Sequence, residues 1–93
     1  MKNVMILTGA GQIGMAIARR TGYGMKIVIG DKKMENARII SGIMNEAGFD
    51  TEALEMDLSS RKSILKLIAE AQKYGPVTKL VNAAMRSASW RNR

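Results

Sequence analysis

Gly9-Ala10-Gly11-Gln12-Ile13-Gly14 constrains this chain more than any other segment. It has the form G-x-G-x-x-G and lies directly between an apolar run, Val4-Met5-Ile6-Leu7, and a segment whose Ile13, Ala16, Ile17 and Ala18 mark a helix. Between a strand and a helix, each glycine has its own job. Gly9 allows a tight turn, Gly11 lets the backbone approach another group with no Cβ in the way, and Gly14 lets the helix pack close to a sheet. The N–H groups that open the helix, at Gln12 and Ile13, favour negative charge in front of them. The alternative is a glycine-rich turn that holds nothing.

The rest of the chain alternates strand and helix, the pattern of a parallel α/β sheet. The first strand, Val4 to Leu7, is apolar throughout, as expected where both faces are buried. A helix follows and ends near Gly22 and Gly24; Met25 to Gly30 then forms a second strand that terminates in Asp31. Met34, Ala37, Ile40, Ile43, Met44 and Ala47 recur at helical spacing, and Gly48 closes that helix. A more polar strand runs from about Thr51 to Asp57, and Ser59 or Ser60 caps the next helix. Ile64, Leu65, Leu67, Ile68 and Ala71 supply its buried face, Gly75-Pro76 breaks it, and Val77 to Ala83 is the last strand. The order is β-α-β-α-β-α-β, and right-handed crossovers place the strands 3-2-1-4. That is half of a Rossmann doubly wound fold. It occupies residues 1–84, and residues 85–93 read as an irregular basic tail.

Asp31 adds a second element. It lies at the end of strand 2, where an acid accepts hydrogen bonds from the ribose hydroxyls of a bound dinucleotide. A carboxylate there repels a 2′-phosphate, which favours NAD over NADP, although Lys32 and Lys33 beside it could accommodate that phosphate. Asp31 could also serve as a helix N-cap, a role compatible with holding ribose.

Composition excludes several other chemistries. Cysteine and histidine are both absent, which removes disulfides, Cys-His and Ser-His catalysis and the common zinc sites. No metal site is expected, and the eight methionines read as core filling. A reduced, cytoplasmic setting fits. No apolar run reaches the ~20 residues that span a membrane, and the start is too short for a signal peptide. The net charge of +7 suggests nucleic acid, but Arg86, Arg91 and Arg93 in the tail carry much of it and the other cations are scattered. Aromatic residues make up 4% of the chain and form no stacking series, so a nucleic-acid partner is not expected.

Four pieces together resemble the short-chain dehydrogenase/reductase family: Thr8-Gly9-Ala10-Gly11-Gln12-Ile13-Gly14, Asp31, Met56-Asp57-Leu58-Ser59, and Leu80-Val81-Asn82-Ala83-Ala84. The resemblance covers residues 1 to about 84. It implies that Asp57 and Leu58 contact the adenine and that Asn82 and Ala83 lie beside the cofactor ribose; Asn82 could instead hold a strand-end turn. The chain departs from the family in two places. Its glycine turn is one residue shorter than the family's T-G-x-x-x-G-x-G, and Met85 stands where the family continues with glycine. The family's chemistry uses a serine and a Tyr-x-x-x-Lys pair. Here Tyr23 is followed four residues later by Ile27, and Tyr74 by Thr78, so neither forms the pair and no catalytic residue is assigned.

The expectation is therefore the NAD(P)-binding part of a short-chain dehydrogenase/reductase-like oxidoreductase, truncated before its catalytic residues and inactive alone. The alternatives are a stand-alone nucleotide-binding or regulatory module, or a folded remnant that self-associates. In each case strand 4 is an exposed edge, and unpaired edges recruit partners. A homo-oligomer through that edge or the adjoining sheet face is expected.

Overall fold

The computed structural model describes residues 2–9, 11–57 and 59–82, with Gln12 and Ile13 described by their backbone alone. The elements are β1 (Val4–Thr8), α1 (Gln12–Thr21), β2 (Lys26–Asp31), α2 (Met34–Glu46), β3 (Asp50–Glu55), α3 (Arg61–Gln72) and β4 (Val77–Asn82). All four strands run parallel in the order β3-β2-β1-β4, as the alternating pattern predicts. The fold is Rossmann-like α/β.

Alternation along β1 explains why its sequence is apolar without interruption. Met5 and Leu7 join Ile27 and Ile29 of β2 under α1 and α2, where Ala18, Ala37 and Met44 complete one core. Val4 and Ile6 point to the opposite face and pack with Val28, Met56, Leu67 and Ala71, the last two from α3. Small residues at Ala18 and Ala37 bring the first two helices close to the sheet.

Two of the sequence expectations need correction. Leu65 is 57% exposed, so only Ile64, Leu67, Ile68 and Ala71 of the predicted stripe face the sheet. Leu65 and Leu67 cannot share a face on a helix with 3.6 residues per turn. The third strand also spans Asp50–Glu55 rather than Thr51 to Asp57. Its polar character has a structural reason. Thr51 is buried against α2, where its hydroxyl meets Ser41, and its N–H donates to Asn45 Oδ1 at 2.9 Å. The polar strand thus finds polar partners.

Helix ends follow their caps. Ser60, not Ser59, is the N-cap of α3, and its hydroxyl accepts from the Ser63 N–H at 3.2 Å. Arg19 and Arg20 sit in the last turn of α1, where cations suit the helix dipole. The Lys79 ammonium reaches across from β4 and donates to the Thr21 carbonyl at 3.0 Å.

At the opposite end of the sheet from the glycine turn, Lys26 forms an ion cluster. Its ammonium lies 3.0 Å from Asp50, 3.7 Å from Glu52 and 4.5 Å above the centre of the Tyr74 ring. Lys2 adds a second cation 3.1 Å from Asp50. Burial works against the Lys26 charge, but the hydrogen bond to Asp50 and the carboxylates of Asp50 and Glu52 outweigh it and raise its pKa. The hydrogen bond from Lys26 in turn holds the Asp50 carboxyl below its ordinary value against a smaller opposing effect of burial. A lowered carboxyl pKa contributes stability that is complete above the unfolded value of about 3.9 and is lost as pH falls through the folded value. The Asp50 side chain is 44% exposed, so solvent keeps the gain small. Lys26→Met is expected to cost about 1 kcal/mol at neutral pH. Urea unfolding of variant and parent should show that difference shrinking as pH falls through the lowered pKa of Asp50 and the carboxylate is protonated.

Candidate functional site at the carboxyl edge of the sheet

Of the sequence-predicted site residues, Gly9, Asp31, Asp57 and Asn82 fall at or just after the carboxyl ends of the parallel strands. Thr8 is in register with Gly30 on one side and Asn82 on the other, and Asp31 is in register with Glu55. The Gly9 N–H extends the ladder by one bond to the Gly30 carbonyl, 2.7 Å away. The Met56 N–H does the same to the Asp31 carbonyl at 2.9 Å. Strand order reverses here, with β2 on one side of β1 and β4 on the other, and such a switch point opens a crevice above the strand ends.

Gly9 leaves the sheet with φ at 93°, a left-handed conformation that favours glycine. Gly11 is different. It is the N-cap of α1 with φ at −137° and ψ at 176°, an extended conformation open to any residue. A Cβ built on Gly11 meets nothing within 4 Å, so the space over the turn is open. The Gly11 carbonyl accepts from the Met15 N–H at 2.9 Å, which starts the helix, while its missing side chain leaves the first turn uncapped. Gly14 is buried in the first turn of α1. The first turn carries no acid, so an anion approaching it meets the positive end of the dipole without a competing carboxylate on the helix.

Asp31 closes β2. Its Oδ1 accepts from the Lys33 N–H at 2.9 Å, and Lys33 rather than Asp31 is the N-cap of α2. The carboxylate therefore shapes the turn ahead of the helix and remains at the strand end. Asp57 follows β3, with its Oδ1 accepting from the Ser59 hydroxyl at 2.7 Å and the Ser59 N–H at 2.9 Å. Those two donors, helped by the charge of Lys32, lower its pKa and keep it ionised. The Asp57 N–H donates to Ser63 Oγ at 2.8 Å, which ties the loop to α3.

Asn82 ends β4, and its Oδ1 accepts from the hydroxyl of Thr8 at 2.8 Å. Thr8 is buried, and its role is one that the sequence reading passed over: it fixes the orientation of Asn82 from the neighbouring strand. Parallel pairing of the first and fourth strands was the signal that could have found it. Leu58, Ala83 and the tail from residue 85, also read from sequence, lie outside the described residues.

A parallel α/β sheet with a glycine turn at its switch point and acids at the ends of β2 and β3 defines a nucleotide-binding class of fold. The sequence model of the short chain dehydrogenase family matches residues 2–91, and the chain belongs to that family. It is 31% identical over 83 residues to a short-chain dehydrogenase/reductase of Alternaria brassicicola, covering 89% of this chain and 30% of that protein. A variant of actinorhodin polyketide ketoreductase, solved with NADPH, superposes with a TM-score of 0.81 at 30% identity, covering 98% of this chain and 40% of that one. A Burkholderia phymatum short chain dehydrogenase/reductase in complex with NAD gives a TM-score of 0.76 at 27% identity, covering 85% and 29%. The chain thus spans less than half the length of these relatives. No helix among the described residues is long and apolar enough to cross a membrane.

Proposed function

We propose that these 93 residues bind the adenosine and pyrophosphate portions of a nicotinamide dinucleotide, as the cofactor-binding part of a short-chain dehydrogenase-type oxidoreductase. The observation that carries the reading is the open space over Gly11 in front of the uncapped first turn of α1, with Asp31, Asp57 and Asn82 along the same sheet edge. The backbone from Gly9 through Gln12, Ile13 and Gly14 is assigned to the pyrophosphate, and Asp31 to the adenosine ribose hydroxyls. Asp57 with Leu58 is assigned to the adenine, and Asn82 with Ala83 to the cofactor ribose. The relatives solved with NADPH and with NAD support a dinucleotide of this kind. NAD is favoured over NADP because the Asp31 carboxylate repels a 2′-phosphate.

The nicotinamide, when bound, supplies the hydride chemistry. The role of this chain is to hold and orient the other end. Its sequence contains no Tyr-x-x-x-Lys, so the 93-residue chain is expected to bind cofactor without turning over carbonyl or alcohol substrates by itself. A cytoplasmic setting, where the dinucleotide pool lies, fits this role. A rate of NADH oxidation above buffer with a panel of small carbonyl compounds contradicts the expected inactivity.

Self-association accompanies this reading. β4 is at one end of the sheet order, with Thr78, Lys79 and Leu80 exposed, and Leu80 at 68% is the most exposed large aliphatic side chain among the described residues. An edge strand with an exposed leucine is a pairing surface. Light scattering at micromolar concentration should give a dimer or larger species, and a clean monomer contradicts it.

A further inference from the structure

Two helix faces of opposite charge lie on opposite sides of the sheet. On α2, Glu35, Ile39, Gly42 and Glu46 follow one another at spacings of four, three and four residues and form one stripe. All four are exposed, Ile39 at 54%, and Ile43 beside them is 45% exposed. On α3, Lys62, Lys66, Ala69 and its C-cap Lys73 repeat the same spacing. These four are exposed too, with the exposed Leu65 next to them. Lys62 and Lys66 also border, with Lys32, an open cleft at the start of α3.

Each stripe carries a charge that its own helix does not favour. Glu46 lies in the last turn of α2, which has no base, at the negative end of the dipole. Lys62 follows Arg61 in the first turn of α3, which has no acid, at the positive end, and Lys66 repels it from four residues away. Among the described residues, no ion pair engages Glu35, Glu46, Lys62 or Lys66, while Lys73 lies 3.0 Å from Glu70. Helix stability does not account for these charges, whereas a partner of opposite charge on each stripe does. Ile39, Ile43 and Leu65 leave apolar surface uncovered among them.

We propose that the acidic face of α2 on one copy of this chain docks on the basic face of α3 on another. Laid side by side in the same direction, the stripes set Glu35 against Lys62 and Glu46 against Lys73. Each charge that disfavours its own helix end then meets its opposite. Gly42 faces Ala69, and a Cβ built on Gly42 meets nothing within 4 Å, so the two helices approach closely there. Helical geometry puts Ile43 and Leu65 on one flank of the contact, and Arg38 and Glu70 on the other. Both helices run antiparallel to the strands on opposite faces of the sheet, so the contact relates copies by near translation. Two different surfaces meet and the contact does not close, so copies add as an open chain. This association is independent of the cofactor reading and of pairing at β4.

One helix pair buries less than a standard interface, so the affinity is weak, on the order of 0.1 mM, and falls with salt. Sedimentation velocity from micromolar to millimolar concentration tests it. At low salt the parent chain is expected to grow past a dimer without a plateau. A Glu35→Lys, Glu46→Lys variant and, separately, a Lys62→Glu, Lys73→Glu variant bring like charges together and should each weaken that growth about tenfold. An equal mixture of the two variants recovers it, because each then offers a face that fits the other. The second variant is nearer neutrality than the parent, so overall repulsion cannot cause its loss. Unchanged growth in either variant, no recovery in the mixture, or growth of the parent that salt does not weaken overturns the proposal. A parent that stops at a dimer overturns it and leaves pairing at β4 standing. A parent that stays monomeric throughout overturns both.

Discussion

Gly11→Val will weaken NADH binding by on the order of 10- to 100-fold while the chain stays folded. Gly11 has extended dihedrals, and an added Cβ meets no atom within 4 Å, so nothing in the fold itself demands glycine there. The cost to the apo chain is limited to replacing one N-cap residue by a poorer one, about 1 kcal/mol or less. With a pyrophosphate held close to the turn, the same side chain occupies the space the ligand needs. Overpacking of that kind costs about 1–3 kcal/mol, which converts to the stated loss of affinity. Gly9 makes the contrasting case, because its φ of 93° is required by the turn itself and a substitution there damages fold and site together. A thermal melt and an NADH fluorescence titration on the Gly11 variant separate the two effects. Loss of the cooperative melt, or NADH affinity equal to the parent's, contradicts the assignment.

Leu67→Ala will remove about 3 kcal/mol of stability, a large part of the roughly 5–14 kcal/mol expected for a domain of this size. Leu67 is 3% exposed and fills the layer between α3 and the sheet. A Cβ built on Gly30 comes within 3.0 Å of Leu67 Cδ2, which shows how closely the leucine lies on the strand. α3 is the one described helix on this face, so little else can close the cavity. Leu65→Ala, two residues away and largely exposed, should change stability by no more than about 0.5 kcal/mol. Urea unfolding of both variants measures the contrast. Equal effects would mean that the helix is rotated from the orientation described.

The comparison of these two leucines also shows what was legible in the sequence. Strand order and element order followed from alternation, the glycine turn and crossover handedness, because each is set by local chemistry and a general rule. Leu65 was misplaced because a dense apolar cluster, Ile64 to Ile68, offers more hydrophobic residues than one helix face can bury. β3 was drawn too long for a related reason. Its polar residues alternate weakly, and their partners Ser41 and Asn45 lie on a helix that only the fold brings near.

Within the proposed site, the positions of Gly9, Gly11, Gly14 and Asp31 at the turn, the helix start and the strand end were legible because local sequence sets them. The contact from Thr8 to Asn82 joins residues separated by the whole middle of the chain, and neither announces the other. In the sequence Lys62 and Lys66 are two among the scattered cations. Only the fold sets them against Lys32 across one cleft.

Titration of the purified 93-residue chain with NADH, and separately with NADPH, tests the central claim most directly. The account predicts saturable NADH binding, tighter than NADPH binding and weakened by Gly11→Val and by Asp31→Ala. If neither dinucleotide binds at millimolar concentration, the claim is contradicted, and the glycine turn serves only to join β1 to α1.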